Sequence, residues 1–172
     1  MTQKRLLQAV LPLVADLARP MPQAERYRRL LDAVRTLLPA DAVALLKLDG
    51  ERLVPLAVDG LARDTLGRRF KVDEHPRFKA LLDAPGSLRF AADCPLPDPY
   101  DGLVEGVSGR LQVHDCMGCA VRVDGRTWGL FTLDAMERGS FSAADLAALQ
   151  AFASVAAGTV RVVGRMGRLG DR

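Results

Sequence analysis

The hydrophobic period of this chain changes twice along its length, and that change limits the available folds more than any single motif. Near the N-terminus Leu6, Leu7, Val10, Leu11, Leu13, Val14 and Leu17 recur at helical spacing. After a break at Pro20 and Pro22, a second stripe runs through Tyr27, Leu30, Leu31, Val34, Leu37 and Leu38. Pro12 is expected to kink the first helix or mark its first turn, and Pro39 to follow the end of the second. The pattern then becomes that of strands. Residues 42–48 and 52–58 flank Asp49-Gly50, and residues 116–123 and 127–134 flank Asp124-Gly125, the strongest short turn signal in the chain. Gly60 and Gly67 punctuate a connection to a further short strand over 68–72. A helix over 76–84 begins with a permitted early proline, and a brief strand covers 87–91. Ser142, with Asp145 three residues on, caps a last helix whose stripe is Leu146, Leu149, Phe152, Ala153, Ala156 and Val160. Helices at both ends of a strand-rich middle predict an α+β domain. Its central antiparallel sheet carries the N- and C-terminal helices as a layer on one face, with ligand-binding loops and short helices on the other.

A chain of 172 residues fits a single domain, 1–172 with a core over about 22–165. At this size roughly 68–70% of the unfolded surface becomes buried, so no disulfide or structural metal is needed for a core. No stretch is expected to approach the ~20 apolar residues of a membrane span. Asp16 interrupts the apolar run that follows Lys4-Arg5, which argues against a secretory leader and for a cytoplasmic protein. Three cysteines, Cys94, Cys116 and Cys119, suit a reducing compartment and imply no disulfide framework. The net charge of +3 and the low aromatic content of 5% argue against direct nucleic-acid binding. Arg161, Arg165, Arg168 and Arg172 share a helical face that reads as solvated. The amphipathic end helices offer a stripe for pairing with a second copy.

The chemistry concentrates in three segments. Asp98 and Asp101 sit in a proline-stiffened loop, His114 and Cys116 lie two apart on an expected strand, and Asp134 ends another. Together they form a mixed oxygen, nitrogen and sulfur donor set suited to a transition metal. Each also has a structural reading. Aspartate beside proline and glycine is ordinary turn chemistry, a strand histidine forms hydrogen bonds, and a strand can simply end in aspartate. What favours a site is that the topology lets all of them reach one region, where carboxylates alone would repel. Strand alternation puts His114, Cys116 and Gly118 on one face and Asp115, Met117, Cys119, Val121 and Val123 on the other. The Cys116-x-x-Cys119 pair is thereby split, and Cys119 reads as a small core residue. Arg77, otherwise an exposed helix residue, is the natural charge-balancing partner of the carboxylates. With a pKa above ~12 it is a reluctant neutral ligand, although direct coordination stays open. The loop over 93–110, rich in proline, glycine and aspartate, is long enough to bind a ligand and to switch between two arrangements. No G-x-S-x-G, H-E-x-x-H, G-x-x-x-x-G-K-[ST] or helix-opening G-x-G-x-x-G occurs, so no enzyme is expected.

Several segments carry a family resemblance: PLAVDGL at 55–61, LGRRF at 66–70, HPR at 75–77, LPDPYDGL at 96–103, VHDC at 113–116 and LFTLD at 130–134. From about Arg26 to Val160 the chain closely resembles the N-terminal GAF domain of the NorR family, the nitric-oxide-responsive, sigma-54-dependent bacterial transcription activators. The resemblance implies a mononuclear non-haem Fe(II) centre that binds nitric oxide and relieves inhibition of a neighbouring AAA+ ATPase domain. The family's iron-site residues correspond here to Arg77, Asp98, Asp101, Cys116 and Asp134, with His114 and Tyr100 as further ligand-binding candidates. Neither an AAA+ ATPase nor a helix-turn-helix domain is present in these residues, so they should neither hydrolyse ATP nor bind promoters. Two alternatives stay open. One is a GAF domain that binds a small organic or nucleotide effector with Arg77 as anion clamp. The other is a thiol-based reductase of free methionine sulfoxide, against which the opposed faces of Cys116 and Cys119 count.

Overall fold

Both expected hairpins form, the first through a turn at Gly50-Glu51, one position later than expected because Asp49 ends its strand opposite Arg52. In the second, Asp124 and Gly125 take φ of +52° and +76°, the doubly left-handed geometry that matches the twist of the strands it joins. The computed structural model describes residues 1–106 and 114–170; the end of the expected long loop, Val113, the Arg168 side chain and Arg172 fall outside the described residues. In chain order the elements begin with α1 (Gln3–Asp16), α2 (Gln23–Leu37), β1 (Ala42–Asp49) and β2 (Arg52–Asp59). Next come β3 (Phe70–Lys71), α3 (Pro76–Asp83), β4 (Leu88–Phe90), β5 (Asp115–Val123), β6 (Arg126–Ala135) and α4 (Ala143–Gly170).

The two hairpins join along their inner strands, with Ala42 opposite Asp134 and Lys47 opposite Gly129. The result is one antiparallel sheet of order β3-β2-β1-β6-β5-β4. Alternation then sorts the side chains. Val43, Leu45, Met117, Cys119, Val121, Phe131 and Leu133 bury one face against α1, α2 and α4, where Leu30, Val34, Leu149, Phe152 and Ala156 meet them. Ala44, Leu46, Cys116, Ala120 and Leu130 line the other face beneath Phe78, Leu81, Phe90 and Tyr100. The α+β architecture expected from the two periods is the one observed, and Cys119 is a core residue of the helical side.

Local chemistry explains the boundaries. Ser142 Oγ accepts from the Asp145 N–H at 3.3 Å while the Asp145 carboxylate accepts from the Ser142 N–H at 2.7 Å, a reciprocal cap that starts α4. At the junction of α1 and α2, the buried Arg26 donates to the carbonyls of Asp16 and Arg19 at 2.6 and 2.5 Å, satisfying groups that the end of α1 leaves open. Asp16 itself accepts from Arg29 Nε at 2.5 Å, so the acid that interrupts the N-terminal apolar run is a buried structural anchor.

Four expectations need correction or refinement. Pro12 does not mark a first turn, because α1 starts at Gln3 and runs on through it, forgoing one hydrogen bond. The connection after β2 is not plain loop, since 3-10 turns span Arg63–Gly67 and Val72–Glu74 and shorten the expected strand to the two residues of β3. Arg161 is solvated as expected, and it also makes an exposed pair with Asp124 at the hairpin tip at 3.1 Å. Finally, α4 runs for 28 residues, and its 143–167 segment is long and apolar enough to cross a membrane by length and composition alone. Its many alanines, interspersed among the larger residues, keep its mean hydropathy high. Ala148, Leu149, Phe152, Ala153, Ala156 and Val160 are spent on the sheet and the neighbouring helices. On α1, Leu7, Leu11 and Val14 remain exposed in one stripe, the face expected to pair with a second copy.

Gly129 lies where β6 crosses the centre of the sheet, and a Cβ there would overlap the Leu46 carbonyl oxygen. Backbone cannot yield as a side chain does. Gly129→Ala is therefore expected to lower stability in urea unfolding by about 1–3 kcal/mol or more. Gly67→Ala, which meets nothing within 4 Å, should stay within about 0.5 kcal/mol of wild type.

Candidate metal centre

Three elements and one loop converge on the sheet face opposite the helical layer. Pro76 opens α3, where its fixed φ and missing N–H do no harm, and the buried side of that helix presents Arg77, Phe78 and Leu81. Strand pairing sets Cys116 directly opposite Asp134 on one side and Phe90 on the other. In the loop, Asp98 Oδ1 accepts from the Tyr100 N–H at 2.7 Å, and the Asp101 N–H closes onto the Asp98 carbonyl at 3.2 Å. The turn chemistry of Asp98 is thus realised, and it occupies only one carboxylate oxygen.

The other oxygen, Oδ2, faces inward. It accepts from Arg77 Nη1 at 2.9 Å and lies 2.7 Å from His114 Nε2, a contact that assigns the imidazole proton to that nitrogen. Arg77 Nη1 also donates to Cys116 Sγ at 2.8 Å, and Arg77 Nε donates to the Leu96 carbonyl at 2.9 Å. With its guanidinium carbon 5.3 Å from the centre of the Phe90 ring, Arg77 is a buried hub and not an exposed helix residue.

Potential ligand atoms of Asp98, His114, Cys116 and Asp134 all lie within 4.8 Å of one another, and all four residues are buried. Asp101 stays outside this group. It is half-buried beyond the turn and reaches the cluster through its charge, which acts on Asp134. The Tyr100 ring lines the site, but its hydroxyl is hydrogen-bonded to Thr132 Oγ1 at 2.8 Å. Thr132, Phe78, Leu81 and Phe90 also line the site and were not singled out from sequence. A usable signal existed for three of them. Thr132 precedes Asp134 by two strand positions, and Phe78 and Leu81 follow Arg77 by one and four helical ones.

The electrostatics are those of a site with more acid than the protein alone keeps ionised. Burial pushes the Asp98 carboxyl up, but hydrogen bonds from His114 and the Tyr100 N–H, with the Arg77 charge, hold it below the usual range. Burial and the neighbouring Asp98 push the Asp134 carboxyl well above it. Burial, reinforced by Asp134 and Asp98, drives the Cys116 thiol far up in spite of Arg77. A divalent cation would favour the ionised form of both groups, because ligand binding displaces their protons. Asp134 Oδ1 and His114 Nδ1 are buried without a hydrogen-bond partner among the described residues. The cavity between these groups measures about 10 Å³. That is the room of one water-sized body, far below the ~300–1,000 Å³ of organic ligand sites.

The GAF domain family profile matches residues 23–160. A nitric oxide reductase transcription regulator of Cupriavidus necator is 49% identical over 150 residues, which cover 87% of this chain and 29% of that protein. Regulatory protein LuxO of Vibrio cholerae is 42% identical over 160 residues, covering 93% of this chain and 30% of its own. This chain therefore spans less than a third of the length of these curated relatives. Among solved structures, the GAF domain of a phosphoenolpyruvate-protein phosphotransferase from Coxiella burnetii superposes with a TM-score of 0.77 at 18% identity. The superposition covers 98% of this chain and 99% of that one, and it shows the shared fold.

Removing the hub should expose its electrostatic role. Arg77→Met keeps the packing on Phe90 but strands a buried carboxylate, with an expected loss of about 3–5 kcal/mol near neutral pH. The Asp98 carboxyl then titrates higher than in wild type. The stability gap is full above the variant's pKa and narrows as pH falls towards the depressed wild-type value. Urea unfolding at about pH 7 and about pH 4 checks this, and an equal gap at both would contradict it.

Proposed function

Because the chain belongs to the GAF domain family and matches nitric oxide regulators over most of its length, we propose that it is the sensor domain of such an activator. It binds nitric oxide at a mononuclear non-haem Fe(II) centre and so relieves inhibition of an attached AAA+ sigma-54 activator domain. Its role is regulatory and not catalytic, and it acts in the cytoplasm, where thiols stay reduced. The observation that carries this reading is the buried set of Asp98, His114, Cys116 and Asp134, with ligand atoms within 4.8 Å of one another.

The donor set fits the ion. Two carboxylates, a thiolate and an imidazole suit a first-row transition metal, and bound ferrous iron supplies an open coordination position for a π-accepting diatomic. Asp98, Cys116 and Asp134 bring three negative charges, which the divalent ion and Arg77 together balance. Arg77 holds the Asp98 carboxylate and the Cys116 sulfur in place, and Asp101 adds its charge from beyond the turn. Tyr100 and Thr132, tied hydroxyl to hydroxyl, form part of the cavity wall.

Neither competing reading matches the site as well. A cavity of about 10 Å³ does not hold a nucleotide, an organic effector or methionine sulfoxide, and Cys119 lies on the opposite face of the sheet from Cys116. The loop that carries Asp98 offers a way out for the signal. It is pinned to the end of β2 by the Ala62 N–H on the Leu103 carbonyl at 2.7 Å and by the Glu105 N–H on the Gly60 carbonyl at 3.0 Å. A coupling of about 1–3 kcal/mol through such a segment changes inhibition roughly 5–150-fold.

Anaerobic loading with ferrous iron, metal analysis and electron paramagnetic resonance after nitric oxide addition test the proposal. Wild type should retain iron stoichiometrically and develop a signal on adding the gas. Cys116→Ala, Asp98→Ala and Asp134→Ala should each lower iron retention while keeping the far-ultraviolet circular dichroism of the fold. Unchanged iron content in all three would remove the proposal.

A further inference from the structure

α3 and β5 meet in register. Arg77 and Leu81 are one helical turn apart, a rise of about 6 Å. Cys116 and Gly118 are two strand residues apart, a rise of about 6.6 Å. The spacings match, so as Arg77 reaches Cys116 Sγ at 2.8 Å, Leu81 settles on Gly118. A Cβ on Gly118 would stand 2.5 Å from Leu81 Cδ1 and 2.9 Å from Cδ2. Gly118 is not among the glycines with positive φ, so it is the missing side chain, and not backbone freedom, that this contact uses.

Leu81 differs from the three aromatic residues that line the cavity with it. Phe78 and Tyr100 pack edge-on against each other and against Phe70, with ring centres 5.5–6.0 Å apart, and the Tyr100 hydroxyl is held by Thr132. Phe90 lies under the Arg77 guanidinium. Leu81 alone of these four has no polar or aromatic tie, and it is placed by the gap at Gly118. We propose that Leu81, seated on Gly118, is the specificity-determining residue that limits the guest of this site to one or two heavy atoms, an inference that rests on the functional reading above. Shortening Leu81 enlarges the cavity without touching Arg77, Asp98, Cys116 or Asp134.

The test has two arms. In the metal-free protein, xenon binding followed by NMR reads cavity size alone: saturable binding is expected in Leu81→Ala and none in wild type, as in other enlarged apolar cavities. In the iron-loaded protein, titration with methyl isocyanide, which has three heavy atoms, should show binding to Leu81→Ala tighter than to wild type by roughly 10–200-fold, the range for small steric differences in apolar pockets. If Leu81→Ala does not fold, Leu81→Val carries the same comparisons. Xenon binding by wild type as tight as by the variant, or equal isocyanide affinity in the two, would overturn the assignment. Loss of all response to nitric oxide in iron-loaded wild type would instead sink the functional reading, and the xenon arm would then decide on Leu81 by itself.

Discussion

A single guanidinium makes the ligand face of this sheet possible. Burying Asp98, Cys116 and Asp134 within a few ångströms of one another would be prohibitive without a counter-charge, and Arg77 supplies one from the first turn of α3. Its position dictates much else. α3 must lie close to β5, the loop must fold back so that Leu96 and Asp98 meet the guanidinium, and Phe90 must lie beneath it. One positive charge is still not enough to keep three acids ionised. That shortfall leaves Asp134 and Cys116 favouring their protonated forms, and it follows from burial and charge count alone.

The fold was largely legible because its determinants are local. The Asp124-Gly125 turn, the switch of period at Ala42 and the Ser142–Asp145 cap each act over a few residues, and all appear where the pattern puts them. The alternation of β5 sorted Cys116 from Cys119 for the same reason. The 3-10 turns after β2 were hidden, because their bonds depend on how the segment is covered by the loop at Leu103 and Val104. The helical spacing of Arg161, Arg165 and Arg168 already pointed to the length of α4, although its apolar stripe was read only as far as Val160.

The site was legible in composition and less so in geometry. Asp98, Cys116 and Asp134 come together as their residue types imply, and His114, a secondary candidate in sequence, belongs with them. Asp101 looked equivalent to Asp98 because the two share one loop. The turn that Asp98 builds sets them apart, one carboxylate aimed at Arg77 and the other placed farther out. The sequence put Gly118 on the Cys116 face and Leu81 one helical turn from Arg77, but not the one against the other. Their importance lies in a matching of helical and strand rises that exists only once the two elements touch.

The course of the chain after Asp134 has a mechanical corollary. One residue beyond it, β6 ends at Ala135; the Met136 N–H is held by Asp41 and the Phe141 N–H by Asp115, and α4 then begins. Twenty-eight helical residues make a rod about 42 Å long, rooted nine residues after the buried carboxyl. Clamped from Ala148 to Val160 between the sheet and the neighbouring helices, such a rod cannot tilt at its base without shifting that packing, so it ties the setting of Asp134 to the whole helical layer.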